Sequence, residues 1–358
     1  MPTYRPYFVW LVTALQTAGL VWSLVWSYQR TGQVIATQPF NFMIGPSADV
    51  LVQMGARFTG CMRDVPKLMP DGTGEGLACM IPNPLGKYPN LAPGSPDLYT
   101  CNWEVMCGDL AGSTQPRVAN QWFRFATAMF LHAGVVHFAM NILFQWTAVK
   151  SLERDWGWFR IAPVYILAGL FGFIFGGSFA DAYSPSVGCS GALFGMVACL
   201  LIDHIQNWRI IHHPTTQLLR MLFVIIITFF LGLFPGIDNF SHVGGFIIGL
   251  LMGIVVMPNI NLSFCSGSRK GKPSPEAKQD SGFGRACFSG YSTVSLIARA
   301  VCLIVTVALF VAMVPLFYGG NAESKCSWCH YIDCLPALAP GGQCGAQTVA
   351  VTQVTQKP

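Results

Sequence analysis

The chain has 358 residues, of which 53% are hydrophobic and only 10% charged, and its mean hydropathy is +0.48. No soluble core of this size needs so much apolar sequence, so these values exclude an ordinary soluble globular protein. We expect the lipid bilayer to surround the chain, and we expect no nucleic-acid partner.

Long apolar stretches recur along the chain, and a membrane-spanning helix needs roughly 20 such residues. The pattern predicts an all-α polytopic membrane protein. The predicted spans cover about 7–28, 135–152, 159–180, 190–208, 216–234, 242–258 and 298–318. A signal peptide is an alternative for the first stretch because Arg5 precedes it, but no small-residue cleavage site follows and the run is long enough to span.

Basic residues between the spans indicate the orientation, because cytoplasmic loops retain Lys and Arg. The short loops 181–187 and 235–241 contain neither residue type. The loops after spans two, four and six contain Lys150, Arg154 and Arg160, then Arg209, then Arg269, Lys270, Lys272, Lys278 and Arg285. We therefore expect a cytoplasmic N-terminus and a C-terminus in the lumen or outside the cell.

This topology divides the chain into six segments. They are residues 1–29, the cytoplasmic N-terminus and first span; 30–134, a lumenal loop with cysteines; 135–258, spans two to six; 259–297, a basic cytoplasmic linker; 298–318, the seventh span; and 319–358, a cysteine-rich lumenal tail. The sequon at Asn239 lies too close to the membrane for glycosylation to be expected, and the sequon at Asn261 is predicted to be cytosolic.

Eight cysteines fall in the two predicted lumenal segments, and an oxidising compartment favours disulfides without fixing their pairs. They are Cys61, Cys79, Cys101, Cys107, Cys326, Cys329, Cys334 and Cys344. Half a zinc site or a redox pair is the alternative for Cys326-Ser-Trp-Cys329-His330, but no second ligand pair lies nearby.

Ser190 and His242 are the strongest candidates for catalysis. Ser190 stands at the head of the fourth span and His242 at the head of the sixth, so the topology gives them the same depth. A histidine in a span is costly unless it is buried in the bundle or hydrated. A serine becomes a nucleophile when a base within hydrogen-bond reach accepts its proton. We predict Ser190 as nucleophile and His242 as base, and Cys189, about 100° away around the helix, as a packing residue.

Glycines repeat every four residues on the same two spans, at Gly191 and Gly195 and at Gly245, Gly249 and Gly253. This small-xxx-small spacing lets two helix backbones approach closely. Ordinary helix packing would explain the glycines alone. Next to the candidate dyad, they predict the contact that brings serine and histidine together.

His137 and Asn141 lie four residues apart on one face of the second span. Together with the Ser190 backbone amide they could form an oxyanion hole, although hydrogen bonding between helices is the alternative. The remaining histidines, His132, His204, His212 and His213, are predicted to be solvated or interfacial.

These residues together resemble the three signature motifs of rhomboid proteases. The matching motifs are Gly188-Cys189-Ser190-Gly191 with Phe194-Gly195, His137-x-x-x-Asn141, and His242-x-x-Gly245-x-x-x-Gly249. Supporting matches lie at 41–47, 55–57, 122–125 and 130–134, and the resemblance covers residues 1 to about 260.

The resemblance implies a six-helix rhomboid core with a seventh, C-terminal transmembrane helix, as in eukaryotic secretory-pathway members. The cysteine-rich loop and tail are similar to those of fungal rhomboids. It further implies a Ser190–His242 dyad without an acidic third residue, substrate stabilisation by His137, Asn141 and Gly188, and a first loop anchored by Arg124. The expected substrates are single-span transmembrane proteins cut near the lumenal face, and no metal or cofactor is expected.

Two other functions compete with this one. A non-proteolytic rhomboid-like protein would bind client membrane helices in trafficking or degradation, and the intact Ser190 and His242 argue against it. A small-solute transporter would carry charges at the membrane midplane and internal repeats. The sequence shows neither feature, so we predict an intramembrane serine endopeptidase of the Golgi, endoplasmic reticulum or plasma membrane, with its active site facing the lumen or exterior.

Overall fold

The computed structural model describes residues 4–37, 40–65, 77–79, 99–101, 106–108, 119–180, 182, 184–209, 211–233, 237–258, 293–319 and 332. Most of the predicted linker and C-terminal tail, the sequon at Asn261, and the cysteines at 326, 329, 334 and 344 lie outside these residues.

The described residues are mainly helical, as predicted. The long helices are α1 (Tyr7–Thr31), α7 (Trp158–Phe179), α8 (Ser190–Gln206), α9 (Pro214–Leu231), α10 (Asn239–Val256) and α11 (Thr293–Gly319). The shorter helices are α2 (Ala48–Met54), α3 (Thr59–Met62), α4 (Arg124–Thr127), α5 (Val135–Phe144) and α6 (Lys150–Trp156). A π-helical turn, Gln145–Val149, joins α5 to α6, and a 3₁₀ turn, Ala128–Phe130, follows α4.

Each predicted span corresponds to an apolar helix. α1, α7, α10 and α11 are long and apolar enough to cross a membrane, whereas the helices within 190–206 and 214–230 are shorter. The second span is one arm of a bent pair, in which Arg124–Phe130 meets Val135–Trp156 at 88°. The prediction of an all-α polytopic membrane protein is confirmed.

The first loop, predicted at 30–134, begins after Thr31 in the structure and contains elements that the sequence did not predict. α2, α3 and α4 lie in it, together with a small antiparallel sheet in which β1 (Leu77–Cys79) pairs with β2 (Tyr99–Cys101). Cys61 and Cys107 form a disulfide across 46 residues. The expectation of disulfides in this loop is confirmed for that pair.

The core of the bundle lies between α7, α8 and α10. Small residues on all three helices face each other, so the backbones approach closely. A Cβ added to Gly172 of α7 would lie 2.7 Å from the Ser241 carbonyl oxygen of α10, and one added to Gly195 of α8 would lie 2.4 Å from the Ala168 Cβ of α7. α10 is therefore held in the middle of the bundle, and its first turn lies beside the start of α8.

A buried polar network connects α1 to this core. Tyr165 of α7 donates to Gln145 Oε1 (2.8 Å), and Gln145 Nε2 donates to Gln16 Oε1 (3.1 Å) and Thr13 Oγ1 (2.8 Å). Gln16 Nε2 donates in turn to the Tyr165 hydroxyl (3.0 Å). An unpaired amide is expensive away from water, so these mutual bonds explain how two glutamines are accommodated inside apolar helices.

Candidate active site

Ser190 and His242 meet at one end of the bundle. Ser190 is the first residue of α8 and His242 lies in the first turn of α10. His242 Nε2 lies 2.9 Å from Ser190 Oγ. This is the distance at which an imidazole can accept the proton of a serine hydroxyl.

Glycine contacts between α8 and α10 determine this distance. A Cβ on Gly245 would lie 1.9 Å from the Gly191 carbonyl oxygen, and one on Gly249 would lie 2.3 Å from the Gly195 carbonyl oxygen. Both obstacles are backbone atoms, which cannot rotate away. A side chain at either position would therefore separate the two helices that carry Ser190 and His242.

The imidazole of His242 is held from two further sides. The ring of Phe194, one turn after Ser190, stacks on it with centroids 4.3 Å apart and planes 17° apart. On the edge opposite Ser190, His242 Nδ1 lies 3.3 Å from Asn239 Oδ1. Nε2 is therefore the ring nitrogen that faces Ser190.

His137 and Asn141 lie together beside the turn that precedes Ser190. A Cβ built on Gly188 would lie 2.7 Å from His137 Cε1 and 3.5 Å from Asn141 Nδ2. Asn141 Nδ2 is buried and has no hydrogen-bond partner among the described residues. A donor in this state can bind an oxygen atom that arrives with a substrate.

Gly188 contributes space to this arrangement. Its φ of +116° is strained for any residue with a side chain, and its N–H already donates to the Ala128 carbonyl oxygen at 2.9 Å. A cavity opens beside Ser190, lined among others by His137, Ser186 and Asp238.

Asp238 joins the first loop to α10. It caps the helix by accepting from the Ser241 amide (2.9 Å), and its Oδ2 lies 2.7 Å from Arg57 Nη2. Burial alone would raise the pKa of Asp238, but the Arg57 guanidinium and the bonds from Ser241 outweigh burial and hold the pKa below the ordinary aspartate value. The backbone of Arg57 also forms an antiparallel β-bridge with Ser186. Ser186 lies four residues before Ser190.

Arg124 is fully buried and holds the first loop together. Its guanidinium donates to the carbonyl oxygens of Val52 (2.6 Å), Ala56 (2.8 Å) and Cys107 (2.6 Å), and to Gln121 Oε1 (2.6 Å). These bonds connect α2, the residues after it and the disulfide to the start of α4. One side chain therefore links four acceptor groups of the first loop.

Two of the histidine predictions are wrong. His132 has no exposed surface, because the bend between α4 and α5 folds it into the bundle, where it contacts the rings of His137 and Phe138. His204 is 5% exposed, and its Nε2 lies 2.9 Å from the Pro214 carbonyl oxygen. Exposure is confirmed for His212 and His213, and Cys189 is buried as predicted.

Sequence reasoning assigned no role in the site to Asp238, Asn239 or Arg57, although Arg57 lies in the supporting match at 55–57. Asp238 carried a usable signal, since an acidic residue directly before an apolar helix is a good N-cap. Asn239 was considered only as a sequon, and at 2% exposure it is inaccessible to glycosylation. Arg57 lies 181 residues from its partner, and no local pattern predicts such a pair.

Comparison with known proteins agrees with the geometry. Residues 119–259 match the Rhomboid domain family. Rhomboid-type serine protease 2 of Emericella nidulans is 34% identical over 92% of this chain and 70% of its own length. RHOMBOID-like protein 6, mitochondrial, of Arabidopsis thaliana is 31% identical over 76% of this chain and 85% of its own length.

Inactive rhomboid protein 1 of Danio rerio is 34% identical over 64% of this chain but only 24% of its own length. The likeness therefore extends to a protein whose name marks it as inactive. In sequence and in fold, this chain belongs to the rhomboid family of multi-pass membrane proteins.

Proposed function

We propose that the chain is an intramembrane serine endopeptidase that uses Ser190 and His242. The observation that supports it best is the 2.9 Å contact between Ser190 Oγ and His242 Nε2. Ser190 attacks the scissile carbonyl while His242 takes the hydroxyl proton, and His242 then gives this proton to the leaving amine. Water, activated by the same histidine, hydrolyses the acyl-enzyme.

The oxyanion that forms during attack needs donors in place beforehand. Asn141 Nδ2, buried and without a partner among the described residues, is the strongest candidate. His137 lies beside it, and the Ser190 amide at the first position of α8 is one of the free N–H groups of a helix N-terminus. We assign these three groups to the oxyanion hole. Gly188, which has no side chain, leaves room for the oxyanion beside His137 and Asn141.

The orientation of the site follows from the positions of the basic residues. α5, α8 and α10 all begin at the end of the bundle that holds Ser190. Lys150, Arg154 and Arg160 lie near the opposite end of the second span, and Arg209 follows α8. Because cytoplasmic loops retain positive charge, we place the Ser190 end in the lumen or exterior of the secretory pathway.

Single-span membrane helices are the proposed substrates. A scissile peptide must leave its helical hydrogen bonds to reach Ser190, and such irregular backbone is tolerated at membrane depth only within protein or against water. The small cavity beside Ser190 marks the place where we propose that the substrate backbone reaches the nucleophile. The cut is therefore expected close to the lumenal face, where the substrate helix ends.

The test uses purified full-length protein in mild detergent. Wild type is compared with Ser190→Ala and His242→Ala for labelling by a fluorophosphonate and for cleavage of a single-span test substrate. Ser178→Ala and His204→Ala are matched controls, because both residues are buried and neither lies at the site. Labelling and cleavage are expected in wild type and both controls, and neither in the two site variants.

The competing function is client binding without proteolysis, which the inactive relative brings into view. A wild type that binds the test helix but neither labels nor cleaves would favour it and would overturn the proposal. Labelling that persists in Ser190→Ala would instead move the nucleophile to another residue.

A further inference from the structure

Asn239, the first residue of α10, makes polar contacts on three sides although its side chain is buried. Its Nδ2 donates to the carbonyl oxygens of Phe229 in α9 (3.1 Å) and of Ile332, after α11 (3.0 Å). Its Oδ1 lies 3.3 Å from His242 Nδ1. One amide therefore connects α9 and the residue Ile332 to the histidine.

The chemistry of these contacts fixes the direction of the amide. Backbone carbonyl oxygens only accept hydrogen bonds, so the NH₂ group of Asn239 must face Phe229 and Ile332. The amide oxygen then faces His242, and because that oxygen also only accepts, the proton of a neutral His242 must sit on Nδ1. Nε2 is thereby left with its lone pair toward Ser190.

The surrounding residues fit closely around the amide. A Cβ on Gly232 would lie 1.9 Å from Asn239 Oδ1, so the end of α9 has room for the amide only because residue 232 is glycine. Ile332 packs against Ala180 and Phe240, which holds its carbonyl oxygen over Asn239. Ile332, the one described residue after the seventh helix, thus lies behind the candidate dyad.

We infer that Asn239 is a positioning residue for His242, and that the C-terminal tail, through the Ile332 carbonyl, orients Asn239. The inference rests on the proposed function and deepens it. Asparagine has the same place behind histidine in the Cys-His-Asn sites of unrelated proteases. Here its orientation depends on a segment that follows the seventh helix.

The kinetic test separates the acceptor from the donor of the amide. Asn239→Ala removes both, whereas Asn239→Asp keeps an oxygen toward His242 Nδ1. In Asn239→Ala, kcat for the test substrate is expected to fall ~10- to 100-fold, part of the roughly 10²–10⁴-fold that a positioned base contributes. KM is expected to stay unchanged and Asn239→Asp to recover part of the rate. Asn207→Ala, at the far end of α8, is the control.

The role of the tail is tested by Ile332→Glu, because a carboxylate cannot remain between Ala180 and Phe240 without a partner. kcat is expected to fall, and Ile332→Val to behave as wild type. If the tail acts through Asn239, Ile332→Glu has no further effect in the Asn239→Ala background. Additive losses, or a wild-type kcat in Asn239→Ala, would overturn the inference.

A second measurement does not need activity. Ring ¹⁵N spectra of histidine-labelled protein at neutral pH, assigned with His242→Ala, report which nitrogen carries the proton. Wild type is expected to show the Nδ1–H form and Asn239→Ala a mixture of both forms. A wild type that is inert but shows the Nδ1–H form would overturn the proposed function and leave the contact between Asn239 and His242 standing. A wild type that is active but shows the Nε2–H form would overturn the contact alone.

Discussion

Arg57 and Asp238 form a buried ion pair that joins the first loop to the helix of His242. Arg57 Nη2 lies 2.7 Å from Asp238 Oδ2, and the two side chains are 1% and 9% exposed. Asp238 also accepts from the amide of Ser241, directly before His242. The first loop is thus connected to the first turn of α10 by a buried charge pair.

Loss of the Asp238 charge is expected to destabilise the protein. Asp238→Asn leaves Arg57 buried without a counter-charge, and breaking a buried pair in this way costs about 3–5 kcal/mol. The melting temperature in detergent at pH 7 checks this. Asp155→Asn, at an exposed carboxylate on α6, is expected to change stability by no more than about 0.5 kcal/mol.

The stability difference between wild type and Asp238→Asn is also expected to depend on pH. The folded pKa of Asp238 is below its ordinary value, so its contribution is complete above the unfolded pKa of about 4 and is lost as pH falls through the folded pKa. The difference in melting temperature between wild type and Asp238→Asn is therefore expected to be constant from neutral pH to about 5 and to shrink below about 4. A difference that grows in acid would contradict this assignment.

Two glycines of α10 provide a matched test of the helix contact. A Cβ added to Gly245 would lie 1.9 Å from the Gly191 carbonyl oxygen, which is a backbone atom. A Cβ added to Gly253 would lie 2.9 Å from Ile202 Cδ1, the flexible end of a side chain. Gly245→Ala is expected to cost about 1–3 kcal/mol as an overpacked site and to abolish most fluorophosphonate labelling. Gly253→Ala is expected to label like wild type, and equal behaviour of both variants would argue against a backbone contact.

The contrast between these residues shows what could be predicted from sequence. The glycine spacing and the Ser190 and His137 motifs are local patterns, and the structure brings those residues together. Arg57 and Gln145 find their partners only after distant helices pack, so no local pattern identifies them. His132 was misjudged for a related reason, because its burial depends on an 88° bend that composition does not reveal.

Arg124 gives a further prediction. Lysine keeps the positive charge but lacks the planar fork of donors that binds several carbonyl oxygens at once. Arg124→Lys is therefore expected to lower the melting temperature and to expose the Cys61–Cys107 loop to limited proteolysis. Arg160→Lys serves as control, because Arg160 donates to the Trp156 carbonyl oxygen alone among the bonds described. A protease pattern identical to wild type would remove the anchoring role.

Asn141 gives the last prediction. Removal of one oxyanion donor typically costs about 10²–10³ in kcat, so Asn141→Ala is expected to show a loss of that size with little change in KM. Steady-state cleavage of the single-span test substrate measures both constants. A rise in KM at unchanged kcat would instead assign Asn141 to substrate binding.

The start of α1 depends on residues that are made much later. The amides of Phe8 and Val9 donate to the two oxygens of Glu153, at 2.8 and 2.9 Å, and Glu153 is fully buried on α6. At roughly 5–20 residues per second of synthesis, Glu153 is made about 7 to 30 s after Phe8 and Val9. The N-terminal end of the first membrane helix therefore lacks the acceptor for these two amides until residue 153 has been made.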